Sequence, residues 1–219
     1  MIGIFDSGLG GLTILKEIRK KLPQYDYLYL GDTLHVPYGN RSAEAVFDLT
    51  KNACDYLFSQ GCKLIILACN TASAKALRRL QKEYLPAKRQ ELGLEESINI
   101  LGVIHPVSEF VAEKAKGKVG VIGTRGTINS KAYVLELKNQ REDLEIVQQA
   151  TPLLVPLIEE GVIDGVDLKS ILKKYLVDLK EKQIKTLILG CTHYPLIIEK
   201  FKEEMSGCDI PHPGKIVAD

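Results

Sequence analysis

The chain has 219 residues, 45% hydrophobic and 26% charged, with 29 Lys+Arg against 28 Asp+Glu for a formal net charge of +1. That balance excludes binding of nucleic acid or an anionic membrane by bulk charge, no apolar run is long enough to span a bilayer, and the length suits one large domain or two small ones. The five cysteines form an odd set without CxxC zinc spacing or a secretory signal, which predicts free thiols, no metal site and a reducing compartment. Ile2-Gly3-Ile4-Phe5 reads as a short strand, Asp6 to Gly11 as a tight glycine-rich turn, and Leu12 to Leu22 as a helix ended by Pro23, with Leu12, Leu15, Ile18 and Leu22 on one face. Such a turn aims backbone N–H groups at an anion. Yet Gly8-Leu9-Gly10-Gly11-Leu12-Thr13 lacks the third glycine of G-x-G-x-x-G, and no Gly-Lys-Ser/Thr follows. Asp6 would repel a pyrophosphate and would suit an ammonium group.

Tyr27 to Leu30 predicts a second strand, closed by Gly31-Asp32-Thr33 and followed by a polar loop, His35 to Ser42. Ser42 fits an N-cap for a helix running to about Gln60. Lys63 to Leu67 predicts a third strand leading into Cys69, and Ala72 to Lys82 a helix whose dipole should lower the Cys69 pKa. Pro86 should break or kink any helix near it. Asn99 to Val103 predicts a fourth strand. The pattern then restarts: Gly3-Ile4-Phe5-Asp6-Ser7 aligns with Gly120-Val121-Ile122-Gly123-Thr124, and the same interval carried forward from Cys69 ends within a few residues of Cys191. This predicts an internal duplication. Helices are expected over Ser130 to Leu137, Asp167 to Lys182 and Pro195 to Met205, and strands over Leu144 to Gln149 and Thr186 to Leu189. Lys215 to Asp219 reads as the start of another strand-turn unit, and the stop there suggests a longer natural chain.

Leu64 to Ala74 and Leu187 to Pro195 are the two matching stretches that matter most. Each is a short apolar run, bounded by turn chemistry, that reads as a buried parallel strand. Cys69 and Cys191 follow those strands, at the carboxyl ends where open α/β sheets bind ligands. A thiolate kept from water can act as a carbon base. Two thiols on opposite faces of an α-carbon would take a proton from one side and return one on the other, giving the mirror image with no redox change. Asp6 could hold the ammonium group of such a substrate, and Ser7, Asn70, Thr71, Ser73, Thr127 and Thr192 its carboxylates. His193 could help Cys191 lose or regain its proton. Cys54 and Cys62 read as small packing or surface residues, and Cys208, His105 and His212 carry no assigned role.

Phe5 to Gly11, Gly31-Asp32-Thr33, Val36 to Gly39, Ala68 to Ala72, Pro156 to Gly161 and Gly190 to Pro195 resemble, in order, the motif series of the glutamate racemases, within the aspartate/glutamate racemase superfamily. The Pro37 to Ser42 loop favours the glutamate branch. The resemblance implies two similar three-layer α/β domains with mainly parallel sheets, related by a pseudo-twofold axis, with the active site in the cleft between them. The expected division is 1–95 for the domain carrying Asp6 and Cys69, completed by a C-terminal segment from about 214, and 96–213 for the domain carrying Cys191. The resemblance further implies a cytoplasmic homodimer that racemises glutamate without a cofactor, supplying D-glutamate for peptidoglycan.

By motif position Cys69 and Cys191 are the acid/base thiols, Cys69 acting on D-glutamate and Cys191 on L-glutamate. Asp6, His193 and Glu159 assist them. Substrate binding falls to Asp6, Ser7, Tyr38, Gly39, Asn70, Thr71, Thr192 and His193, and for Tyr38 and Gly39 that role rests on the resemblance alone. Leu34, His35 and Thr151 depart from the usual motifs, Thr151 standing where many members carry a cysteine outside the catalytic set. The alternatives are an aspartate or other amino-acid racemase of the superfamily, a two-lobed amino-acid-binding protein, and a single-thiol hydrolase or transferase. The last leaves the Cys191-Thr192-His193 stretch and the duplication without a purpose.

Overall fold

The structure, a computed structural model, describes residues 1–93 and 98–219. β1 (Ile2–Asp6) leads through the glycine turn into α1 (Leu12–Lys21), then β2 (Tyr27–Gly31). A single 3-10 turn, Tyr38–Asn40, precedes α2 (Ala43–Ser59), which Ser42 caps through its hydroxyl. After β3 (Leu64–Leu67) come α3 (Asn70–Lys75), α4 (Leu77–Arg79), a wide turn at Leu80–Tyr84, α5 (Leu85–Leu92) and β4 (Asn99–Gly102). α6 (Ile104–Lys114) opens the second half, followed by β5 (Val119–Gly123), α7 (Arg125–Asn129), α8 (Ala132–Gln140) and β6 (Ile146–Ala150). The chain ends with α9 (Leu154–Glu159), α10 (Val166–Glu181), β7 (Thr186–Gly190), a 3-10 turn at Tyr194–Ile197, α11 (Ile198–Glu204) and α12 (Pro213–Ala218).

Two parallel sheets result, ordered β2-β1-β3-β4 and β6-β5-β7. β1 and β5, the strands aligned by the internal repeat, each lie between the strand that follows them and the strand that leads to a cysteine. Both are buried along their whole length, as continuous apolar strands covered on two faces must be. Helices cover each sheet on both sides. Leu57, Ile65 and Leu80 belong to one cluster on the first sheet, and Ile4, Ile14 and Ile18 to the other. On the second sheet Leu172, Leu176 and Leu187 face one way, and Val111, Val121 and Leu137 the other. Among the described residues no helix is long and apolar enough to cross a membrane.

Several local expectations change. The buried face of α1 is Ile14 and Ile18, while Leu12 is 45% exposed; these two isoleucines, one turn apart, are the pair that meets Ile2, Ile4 and Ile66. Pro86 lies in the first turn of α5, where a missing N–H costs nothing, so the helix continues through it. The segment after Cys69 is not one helix to Lys82: it starts at Asn70 and is interrupted after Lys75 and again at the wide turn. Lys215 to Ala218 is helical, not a strand. Pro213 presets the first turn, the N–H groups of Lys215 and Ile216 donate to His212 O, and Val217 and Ala218 pack beside Ile14 and Ile18. The expected boundary between residues 95 and 96 lies outside the described residues; β4, beyond it, pairs with β3 in the first sheet.

Candidate active site

The parallel registers bring the carboxyl ends of the strands level, Phe5 beside Leu67 and Gly123 beside Gly190. Cys69 emerges from β3 and Cys191 from β7, and both line one cavity between the two sheets. Each is almost fully buried. Cys69 is itself the N-cap of α3: the Ala72 N–H donates to Sγ at 3.4 Å, and the thiol donates to Ser7 Oγ at 3.5 Å. A cysteine that accepts from a helix N-terminus while facing a cavity is held in one orientation by the backbone that follows it.

Around Cys191 the helpers are side chains. His193 Nδ1 stands 3.7 Å from Cys191 Sγ, and its Nε2 is 3.1 Å from Glu159 Oε1. A carboxylate on Nε2 keeps the ring hydrogen there, so Nδ1 presents a lone pair to the thiol. Glu159 is reached through His193 and is not part of the cavity wall. Gly10 packs against this pair so closely that a Cβ there would lie 2.5 Å from Thr192 Oγ1 and 2.7 Å from His193 Nδ1.

Asp6 is fully buried behind the wall, not on it. The Gly8 N–H donates to Oδ2 at 3.0 Å, and the Thr192 hydroxyl donates to Oδ1 at 3.2 Å. It therefore joins the two halves through Thr192, whose carbonyl in turn accepts from the Thr13 hydroxyl at 2.9 Å. Burial pushes its carboxyl above the usual carboxylate range, opposed by His193, the Gly8 and Gly11 amides and Thr192.

The remaining wall combines neutral polar groups with the apolar residues Val36, Pro37, Pro152, Val155 and Pro156, and with Arg125. The Tyr133 hydroxyl donates to Asn70 Oδ1 at 2.7 Å, which fixes the Asn70 amide with its NH2 as the free donor. Thr71 and Thr124 face the cavity and stand 2.9 Å apart, one from each half, with Thr127 Oγ1 behind them at 3.3 and 3.1 Å. The Tyr38 hydroxyl donates to Asp32 Oδ2 at 2.7 Å, and His35 Nδ1 contacts Asp32 Oδ1 at 2.8 Å.

Of the candidate residues, Ser7, Tyr38, Gly39, Cys69, Asn70, Thr71, Cys191, Thr192 and His193 converge on the cavity. Ser73 does not: its hydroxyl donates inward to Leu67 O at 2.9 Å. Thr127 is buried behind Thr124, which caps α7 and takes its position on the wall. Sequence reasoning missed Thr124, Arg125, Thr151 and the apolar strip Pro152, Val155 and Pro156. The repeat was the available signal for Thr124, since it pairs that residue with Ser7. Thr151, set aside as peripheral, is a buried wall residue hydrogen-bonded to Tyr194. Among the described residues no cluster of three or more His, Cys, Asp or Glu could hold a metal ion.

The expected lowering of the Cys69 pKa is reversed. Burial, joined by the nearby Asp6 charge, raises it from an ordinary value of 9.0 to about 11, and the Ser7 and Ala72 contacts only soften that. Removal of a thiolate from water costs more than one helix terminus returns. Burial also raises Cys191, with Cys69, Asp6 and Glu159 adding to it. The linkage follows. The folded protein holds the Cys69 proton between pH 9 and about 11, where the unfolded chain releases it. That stability is fully present below pH 9 and is lost as pH rises toward 11, by about 3 kcal/mol. In urea unfolding at about pH 8 and pH 10.5, Cys69→Ser should lose less stability than the parent chain; equal losses would remove Cys69 from the account.

Residues 13–218 match the family described as Asp/Glu/Hydantoin racemase. The chain is 44% identical over 218 residues to a glutamate racemase of Aquifex aeolicus, covering 99% of this chain and 80% of that one. It is 47% identical over 203 residues to one of Sulfurihydrogenibium sp., covering 92% and 74%. In three dimensions it is similar to a glutamate racemase of Bacillus anthracis, with a TM-score of 0.90, 36% identity and coverage of 100% of this chain and 78% of that one. A Francisella tularensis glutamate racemase in complex with D-glutamate gives 0.87, 35%, 99% and 77%.

Proposed function

Because the chain belongs to the glutamate racemases of the Asp/Glu/Hydantoin racemase family, isomerases that work without pyridoxal phosphate, we propose that it interconverts L- and D-glutamate with Cys69 and Cys191 as its two acid/base groups. The observation that carries this reading is the pair of thiols, one from each sheet, on the wall of one cavity. One thiolate takes the α-proton, the electron pair is held by the adjacent carboxylate, and the opposite thiol gives a proton to the other face. One proton leaves, one arrives, and nothing is oxidised.

The raised thiol pKa fits this task. With a pKa of about 11 for Cys69, only about one molecule in 10⁴ carries its thiolate at pH 7, but that thiolate is a stronger base toward a weakly acidic C–H bond. A helper that takes the thiol proton offsets the scarcity. On the Cys191 side His193 Nδ1 fills that role, with Glu159 orienting the ring and stabilising the imidazolium that forms. On the Cys69 side the Ser7 and Ala72 contacts favour the thiolate, while the nearby Asp6 charge opposes it and makes the thiolate that does form a stronger base. Cys69 serves D-glutamate and Cys191 L-glutamate.

Ser7, Asn70, Thr71, Thr124 and Thr192, with the Tyr38-Gly39 turn, hold the substrate through donors suited to two carboxylates. Asp6 contributes from behind the wall. Cytoplasmic residence, homodimer assembly and supply of D-glutamate for peptidoglycan go with this reading. The family resemblance supports all three, and five free thiols support the first. The test is incubation with L-glutamate in deuterated water without added pyridoxal phosphate, followed by proton NMR and optical rotation. Loss of the α-proton signal with loss of rotation is expected, and a folded chain that does neither would overturn the proposal.

A further inference from the structure

Lys75 is the last residue of α3, the helix that Cys69 caps and that carries Asn70 and Thr71 to the cavity. It does not line the cavity itself. Its partly buried ammonium donates to the carbonyl of Arg41, the residue that closes the Tyr38–Asn40 turn. Against its other side lies Gly126, in the first turn of α7. A Cβ on Gly126 would stand 3.0 Å from Lys75 Nζ and 2.8 Å from the backbone oxygen of Gly39. A Cβ on Gly39 would stand 2.8 Å from Thr124 Cβ. The turn, α3 and α7 therefore meet around one amino group. The first two belong to connections of the first sheet and the third to the second sheet.

A lysine usually extends its stem so that the ammonium reaches water. Turning it inward costs hydration, and here burial pulls its pKa down with no charged partner acting against the shift. A neutral carbonyl is the acceptor in return. Such an arrangement is costly as packing and effective as a clamp, since the ammonium ties to α3 a loop whose bonds from Arg41 N–H to Tyr38 O at 3.1 Å, Arg41 Nε to His35 O at 2.8 Å and the Tyr38 hydroxyl to Asp32 Oδ2 at 2.7 Å all stay within residues 32–41.

We propose that Lys75 is a positioning residue: its ammonium clamps the Tyr38–Asn40 turn between α3 and α7 and so holds Tyr38 and Gly39 where they meet the substrate. The inference rests on the reading of the cavity as a glutamate site. Cys69 is held at the opposite end of α3 by Ser7 and the Ala72 amide, and Cys191 and His193 follow β7, so the clamp acts on substrate binding more than on proton transfer.

The experiment compares the parent chain with Lys75→Met and Lys75→Arg. Lys75→Met is expected to raise KM for both enantiomers about tenfold, with kcat changed less than about threefold. Lys75→Arg should recover most of the loss, because a guanidinium can reach the same carbonyl. Amide hydrogen exchange over residues 38–41 should speed up in Lys75→Met and stay unchanged in β3 and β7. With an active parent chain, an unchanged KM, or a joint fall of kcat and KM that arginine does not rescue, overturns the clamp. An inactive parent chain would instead sink the glutamate reading. The exchange comparison decides the clamp in that case: faster exchange over 38–41 upholds it, and unchanged exchange overturns it.

Discussion

Replacing Cys191 with serine is expected to lower kcat/KM for glutamate racemisation about 10³-fold, and replacing Cys69 to do the same. A hydroxyl is a far weaker acid than a thiol, so it can neither form the base nor return the proton. The loss must be equal in the two directions, because the enantiomers have the same free energy and the ratio of the two kcat/KM values is fixed at one for any variant. Directional information appears elsewhere. Each variant keeps one thiol, which can remove an α-proton and return a deuteron to the face it came from. In deuterated water Cys191→Ser should therefore exchange D-glutamate without inverting it, and Cys69→Ser should exchange L-glutamate. Normal inversion by either variant, or exchange of the same enantiomer by both, would defeat the two-thiol assignment.

The second large effect comes from a residue with no side chain. Gly10→Ala would put a methyl 2.5 Å from Thr192 Oγ1 and 2.7 Å from both His193 Nδ1 and Cε1. Neither neighbour can yield easily. Thr192 is β-branched, buried and hydrogen-bonded to Asp6, and His193 is buried and held by Glu159. The ring would have to move away from its 3.7 Å approach to Cys191. A fall in kcat/KM of about 10²-fold is expected, with about 1–3 kcal/mol of lost stability. Gly8→Ala is the control, because its methyl meets Val36 and Glu159 only at 3.7 and 3.8 Å, which is ordinary contact. Steady-state kinetics and thermal melts of the two variants settle it: comparable activities would show that the His193 position does not matter to the rate.

What could be read from the residues divides along physical lines. Continuous apolar runs such as Ile2 to Phe5 and Leu64 to Leu67 state burial on two faces, so the parallel strands and the thiols at their ends were visible in the order of residues. The repeat carried the matched strand orders of the two sheets. What was not visible depends on direction within a single turn. Thr124 and Thr127 are both hydroxyls in one short helix start, and only the cap geometry decides that the first faces the cavity and the second lies behind it. Ser73 turns to Leu67 O for the same kind of reason. The sign of the Cys69 shift required knowing how completely the thiol is buried, which sequence spacing does not carry. Ile216-Val217-Ala218 is too short a run to reveal its period, and the neighbouring Pro213 decides for a helix.

The bonds between Asp6 and Thr192 and between Thr13 and Thr192 join residues 186 and 179 apart in the chain. The strand pairings within each sheet close much shorter loops, such as Gly3 with Ile65 and Gly120 with Leu187. Closing the longest loops carries the largest entropy cost before any contact rewards it. The strands of each sheet can therefore pair within their own stretch of chain, whereas the relation of the two halves depends on distant contacts: these two bonds, the Tyr133–Asn70 bond, the Arg78–Glu136 pair and the packing of α12 beside α1. The arrangement of thiols that a proton must cross therefore rests on contacts whose loop-closure cost is among the highest in the molecule.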